Sequence, residues 1–295
     1  GGMKVKFYKK AIGYILAITM AVSMTACNSA TTEGETAALT PEEIIQAAET
    51  KIQEATSVES EMDMEIVMSM TGQNFSMKTN SIMSVFAEPL KAKMNTTVDV
   101  SELGSNNVEM YIGQEDGKTM MYTNMMGNWI KQEITQEQMT PYDTQQSMVK
   151  YLDSSTGLKE VGKEEVNAEE ATKYEGVIAR DTLAETMQSV GTTKNLEALL
   201  AGIDMTSDQL YEGLSDVKVA VWINAEGYPV KYEMDMTEMT QGLMRKVMQT
   251  SGVSAQEAAK LDVSTAKLSI INKNINNVTD FEIPEEAILA TEASL

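Results

Sequence analysis

Residues 58–70 read Val-Glu-Ser-Glu-Met-Asp-Met-Glu-Ile-Val-Met-Ser-Met, and this alternation constrains the fold more than any other stretch of the chain. Val58, Met62, Met64, Ile66, Met68 and Met70 take even positions, with Ser60 the exception, while Glu59, Glu61, Asp63, Glu65 and Ser69 hold nearly every odd one. A period of two belongs to a β-strand with one dry face and one wet face. At about 3.3 Å per residue such a strand reaches roughly 43 Å, well past the usual ~5–6 residues, so it must twist and bend as it crosses its sheet. It also needs long neighbours.

The sequence on either side supplies them. Thr71-Gly72-Gln73-Asn74 predicts a hairpin turn, after which residues 75–86 place Phe75, Met77, Met83 and Val85 on one face. Residues 90–100 alternate Leu90, Ala92, Met94, Val98 and Val100 with polar side chains; residues 108–113 and 119–134 predict a further pair across an Asp116-Gly117 turn, with 125–128 splitting the second strand. Alternation returns at 217–224 and 230–238, and 266–276 predicts the last strand. Between these β blocks, 135–215 reads as a helical insertion: helices at 143–152, 181–190, 194–201 and 207–214 surround one strand near 172–179. Helices are also expected at 240–250 and 254–261. At the front, Thr40-Pro41-Glu42-Glu43 combines an N-cap, a proline at the first helical position and a capping-box glutamate. That helix runs to about residue 57 with Ile45, Ala48, Ile52 and Ala55 in one stripe. The expected fold class is α+β, a single domain over 40–295 in which an antiparallel sheet turns its methionine-rich face to helices.

The first 39 residues are of another kind. Met3 is the expected initiator, with Gly1 and Gly2 an addition ahead of it. Lys4, Lys6, Lys9 and Lys10 give a basic start, and residues 11–24 form an uncharged apolar run too short for a comfortable membrane span. It ends at Met24-Thr25-Ala26-Cys27, which resembles the bacterial lipobox. The resemblance implies a signal peptide over 1–26, cleavage before Cys27 and a diacylglyceryl group on its thiol. Residues 27–39 then form the lipidated cysteine and a small, polar, flexible tether. Acyl chains contribute about 0.8 kcal/mol per buried CH₂, so two or three of them hold a protein firmly on the outer face of the cell membrane.

Composition excludes several functions. Cys27 is the only cysteine, so the chain has no internal disulfide and its domain stands on its core alone. Losing four lysines and no acids with residues 1–26 takes the formal charge from −21 to −25, which excludes nucleic acid as a partner. The same charge repels anionic headgroups and keeps the body off the bilayer rather than flat on it. With no histidine, the commonest general base and imidazole metal sites are both missing. Calcium loops of the Asp-x-Asp-x-Asp-Gly kind, phosphate-cradling glycine loops and a Gly-x-Ser-x-Gly elbow are also missing from the sequence. Neither enzymatic activity nor a cofactor is expected.

Methionine is the residue that carries a functional reading. The chain holds 24 of them against four phenylalanines and two tryptophans. Met62, Met64, Met68, Met77, Met94, Met110, Met234 and Met236 fall on apolar strand faces, where flexible thioethers either pack the sheet onto its helices or line an adaptable apolar pocket. Met-x-Met pairs also suit Cu(I), although no imidazole or free thiol supports that use, and no metal is expected. Glu59, Glu61, Asp63 and Glu65, with Glu233 and Asp235, read as solvated strand faces.

Cys27, the tether, the first helix, the long meander with Tyr122, Trp129 and Lys131, and the closing Phe281-x-Ile283-Pro284-x-Glu286-Ala287 together resemble extracellular lipoproteins of Gram-positive bacteria. That group is similar in architecture to the LolA-type lipoprotein carriers and the mycobacterial LppX/LprG-type lipid carriers. The resemblance spans nearly the whole mature chain and brings no catalytic residue. It implies a strongly curved antiparallel half-barrel that wraps helices and leaves an apolar cavity for acyl chains. The expected function is then binding, and transfer, of a lipid or lipopeptide between sheet and helices. The other expectation is a non-enzymatic surface or structural lipoprotein with a filled core, which recognises a protein or envelope polymer through its acidic exterior.

Overall fold

β1 (Ser57–Met70) pairs along its length with β2 (Gln73–Phe86) on one side and with β11 (Leu261–Lys273) on the other. In this computed structural model, which describes residues 39–101, 103–139, 142–189 and 206–293, the strand with the strongest alternation stands in the middle of the sheet. A meander of β3 (Lys91–Val100), β4 (Gly104–Glu115), β5 (Lys118–Met125) and β6 (Asn128–Glu133) extends from β2. Beyond β11 lie β10 (Pro229–Asp235), β9 (Val217–Asn224), β8 (Glu169–Ile178) and β7 (Ser155–Val166). With β12 (Thr291–Glu292) parallel to β6, the order is β12-β6-β5-β4-β3-β2-β1-β11-β10-β9-β8-β7. It is one open sheet of 12 strands, antiparallel in every other pairing, in a half-barrel arrangement with all but one short helix on one face. Residues Leu39–Leu295 form one compact unit.

The turns explain the pairing. Thr71-Gly72, with φ of 50° and 83°, joins Met70 to its partner Gln73 by the two-residue left-handed turn whose twist suits a hairpin. The same geometry recurs at Asn167-Ala168, with φ of 54° and 64°, between the partners Val166 and Glu169.

Register then sorts the side chains. Met62, Met64 and Ile66 of β1 lie opposite Ile270, Leu268 and Ala266 of β11, and Ser60, Met62 and Met64 lie opposite Met83, Ser81 and Thr79 of β2. This inner face carries the helices: α1 (Pro41–Gln53), α3 (Thr144–Ser154), α4 (Arg180–Ser189) and α5 (Ser207–Tyr211) bury Ile45, Ile52, Met148, Leu152, Leu183 and Leu210 against Val217, Val221, Tyr232 and Met234. α6 (Thr237–Thr250) adds Leu243, Met244, Val247 and Met248, all partly buried. A second inner core joins Met83, Val85, Ala92, Met110 and Ile112 to Ile134 and to Met139 at the end of the short α2 (Gln136–Met139).

The outer face is charged where it is open and apolar where it is covered. The C-terminal segment, with α8 (Glu285–Ile288) and β12, crosses β4–β6 and buries Tyr111, Met120, Tyr122 and Ala287, with Trp129, Phe281 and Ile283 packed around them. The residues that carry the sequence resemblance at this end of the chain therefore meet in one structural cluster. Lys131 bridges it, donating to Glu115 at 3.2 Å and to the Ile288 carbonyl at 3.0 Å.

Two differences from the sequence expectation stand out. β7 was not expected, and β11 begins at Leu261, five residues before the expected start. The short helix expected at 254–261 is α7 (Ala255–Ala258), capped by Ser254. The helix expected at 194–201 lies outside the described residues.

Candidate functional site

Seven methionines of the candidate wall project from inner-face registers and Met236 follows the end of β10, yet the eight do not converge on one space. Met234 and Met236 are buried in the larger core, and Met62, Met64 and Met68 pack against it half-buried. Met94 and Met110 belong to the second core, where the gap among them, Met83, Ile112 and Tyr142 has no room for a water molecule. Met77 is half-buried on β2, level with Ile66.

The chamber on the helix side lies elsewhere. About 510 Å³ opens between the inner face at Val85, Ala87, Leu90 and Ala92, the C-terminal end of α1 at Gln53, and Met139, Tyr142 and α3 with its cap Asp143. The lower strands supply its apolar floor, because Val85 and Ala92 face each other across β2 and β3 and are almost fully buried. Met139, Tyr142 and Val149 supply the opposite wall, and burial raises the Tyr142 hydroxyl above its ordinary pKa, keeping it neutral. Asp143, Gln145, Gln146 and Lys150 form a polar rim. The rim is structural as well: the Asp143 carboxylate accepts from the Gln146 N–H at 2.9 Å and caps α3. Gln145 Nε2 donates to the Ile52 and Ala55 carbonyls, both at 2.9 Å, and so ties α3 to the end of α1.

A second and larger cavity lies on the opposite face. A groove of about 700 Å³ crosses the outer side of β1–β3 and β8–β11. Asp63, Glu65, Asp99, Glu175, Glu233 and Asp235 line it together with Lys78, Lys218 and Lys267. Part of the charge is paired, with Lys78 to Glu65 at 2.9 Å and Lys267 to Asp235 at 3.6 Å. Partial burial works to raise the Asp235 carboxyl, but hydrogen bonds from the Thr237 hydroxyl and N–H, with the nearby Lys267 ammonium, hold it below the usual carboxylate range. The strand carboxylates read from sequence as a solvated face are the walls of this groove.

Cys27 lies outside the described residues, as do the signal segment and all of the tether before Leu39. Among the described residues no group of three or more His, Cys, Asp or Glu is placed to hold a metal ion, and no helix is long and apolar enough to cross a membrane. Chamber residues such as Tyr142, Leu90 and Val149 were missed as site residues. Nothing in periodicity marks them, since a gap between helices and strands is a property of packing.

The architecture is an open, largely antiparallel sheet with most of its helices on one face. Among solved structures it is similar to the lipoprotein LppX of Mycobacterium tuberculosis, with 13% identity over 82% of this chain and 97% of that one and a TM-score of 0.44. It is similar also to LprF of Mycobacterium bovis, with 12% identity over 83% and 96% and a TM-score of 0.48. A putative outer membrane lipoprotein-sorting protein domain of Vibrio parahaemolyticus aligns at 10% identity over 82% and 93%, with a TM-score of 0.24. No protein-family model and no curated protein matches the sequence.

Proposed function

We propose that the chain is a lipoprotein held at the extracellular face of the cell membrane by a lipidated Cys27, and that its folded unit binds, and carries, an apolar ligand such as the acyl chain of a lipid or lipopeptide. The observation that carries this reading is the chamber of about 510 Å³ between sheet and helices, a size inside the ~300–1,000 Å³ range of small-molecule sites. Its floor of Val85, Leu90 and Ala92 suits methylene groups, and its rim of Gln146 and Lys150 suits a polar head. The methionines then act mainly as packing around the site, with Met139 at its wall. Catalysis and a cofactor form no part of this reading.

The test is organic extraction and mass spectrometry of the unit from Leu39 onward, prepared without detergent, with uptake of a fluorescent fatty acid as the second readout. Stoichiometric lipid or saturable uptake is expected, and Val149→Trp, which fills the chamber from its helical wall, should weaken uptake at least ~tenfold, about 1.4 kcal/mol. Repeatedly empty preparations without uptake would sink the idea. For the anchor, Cys27→Ala should move the chain from the membrane fraction to the medium.

The outer groove favours a second reading, in which the acidic exterior recognises a cationic segment of a protein or envelope polymer. Binding of that kind weakens with salt and is lost in Asp63→Asn/Glu233→Gln, while lipid uptake is unchanged by both.

A further inference from the structure

Three hairpins of the meander turn at the same end of the sheet: β1–β2 at Thr71-Gly72, β3–β4 between the partners Val100 and Gly104, and β5–β6 at Met126-Gly127. Their tips carry exposed apolar side chains, Leu103 at 79%, Met126 at 85% and Met125 at 54% of full exposure, with Phe75 and Ile130 partly exposed beside them. In a chain where 23% of residues are charged, the stretches 69–77, 100–108 and 123–130 hold one charged residue, Glu102. An even distribution would place about six there. Turns in water normally carry charge or small polar groups, so large exposed apolar side chains at turn tips need a reason.

Register places these tips along one edge. Val100 lies level with Ile66 through Met77, four residues before Met70; Met125 lies level with Met62 through Val108, Thr96 and Ser81, four before Ile66. A retreat of four residues, about 13 Å, for each two strands, about 10 Å, is the stagger that strand tilt produces in barrels, where the hairpin ends fall on a common rim.

We propose that this rim docks on a lipid bilayer, with Leu103, Met125 and Met126 inserted among the headgroups and upper acyl chains. Charge selects the occupant and the orientation. The groove walls and the outer strand faces are acidic and are repelled by anionic headgroups within a Debye length of about 8 Å, whereas the rim approaches without that opposition. Insertion is driven by removal of apolar surface from water and is insensitive to salt. The inference does not depend on the chamber's holding a ligand.

The experiment uses residues 27–295 with Cys27→Ser, which lacks acyl chains, and flotation with phosphatidylcholine vesicles at low salt and at salt high enough to screen exposed charges. Partition at both salts is expected, with a loss of at least ~tenfold in Leu103→Asp/Met126→Asp. Leu103→Trp should strengthen it several-fold, and Val161→Asp, an exposed apolar position on β7, should leave it unchanged. Circular dichroism confirms the fold of each variant. Equal partition of the double variant, loss in Val161→Asp, abolition by salt, or absence of wild-type partition each overturns the proposal. So does self-association of the wild type that the double variant abolishes while neither floats, which would make the rim a contact between two copies of the chain.

Discussion

Glu49 sits half-buried on α1, and burial, reinforced by the Asp153 carboxylate near the end of α3, pushes its carboxyl up to about 7. The folded state therefore binds this proton more tightly than the unfolded chain. The stability it contributes is complete below about pH 4.5, falls as pH rises towards 7 and is absent above it. A full conversion would give about 3 kcal/mol, and solvent screening of a half-exposed group lowers that to about 1 kcal/mol. Glu49→Gln should flatten the decline between pH 4.5 and 7 and raise the melting temperature at pH 8, as read by thermal melts across pH; a curve parallel to wild type would exclude the assignment. Ala168 offers a backbone counterpart, because its φ of 64° places a Cβ in left-handed space at a hairpin turn. That conformation costs a non-glycine residue roughly 1–2 kcal/mol, partly offset by glycine's greater unfolded entropy. Ala168→Gly should stabilise by about 0.5 kcal/mol in denaturant titration.

Gln145 shows how one side chain joins two elements. Helix ends leave carbonyls without intrahelical partners, and its amide satisfies Ile52 and Ala55 at the end of α1 while lining the chamber. Gln145→Ala should destabilise by about 1–2 kcal/mol and raise amide exchange in the last turn of α1 before the rest of the unit; unchanged exchange there would mean that the contact is incidental. Elements of this kind differ in how plainly sequence announces them. β1, β9 and α3 were legible because Val58–Met70 alternates at nearly every position, Val217, Val219, Val221 and Ile223 recur at every second one, and Asp143 caps a helix with Met148, Val149 and Leu152 on one side. β11 was legible only from Ala266, because its pairing with β1 skips Ser264 between Thr265 and Val263. The bulge reverses the parity of the alternation, so Val263 and Leu261 are buried at odd positions and Ala266, Leu268 and Ile270 at even ones. β7 was hidden for a related reason: it is an edge strand with two register breaks, and of its 12 residues only Leu158 and Val166 are buried. The methionine wall was legible as an inner face, whereas the chamber was not, since it exists where α3 stands away from β2 and β3.

At the scale of the molecule, one continuous sheet carries two separate inner cores, and the C-terminal segment supports only one half. Phe281 packs on Phe86 and Tyr111 with ring centroids 5.9 and 6.0 Å apart, and Lys91, ion-paired to Asp280, lies over both phenylalanines. Ile283 fills the space that a side chain at Gly113 would need, Ala287 is fully buried, and the Ala293 N–H donates to the Lys131 carbonyl at 2.8 Å. Removing residues 278–295 uncovers Tyr111, Met120 and Tyr122, each at most 4% exposed in the intact protein. At about 1.5–3 kcal/mol for each large apolar side chain, the loss is roughly 5 kcal/mol, comparable with the whole stability of a domain. The larger core, built from β1, β7–β11 and helices α1 and α3–α6, contains no residue past Ile275 and so none of that segment. Deletion should therefore abolish amide protection across β4–β6 and create dye-binding apolar surface while β8–β11 keep theirs, as read by hydrogen exchange with mass spectrometry. Uniform loss across all strands would mean that the central pair β1–β2 couples the halves into one cooperative unit; no loss at all would mean that the aromatic cluster on the outer face does not depend on its cover.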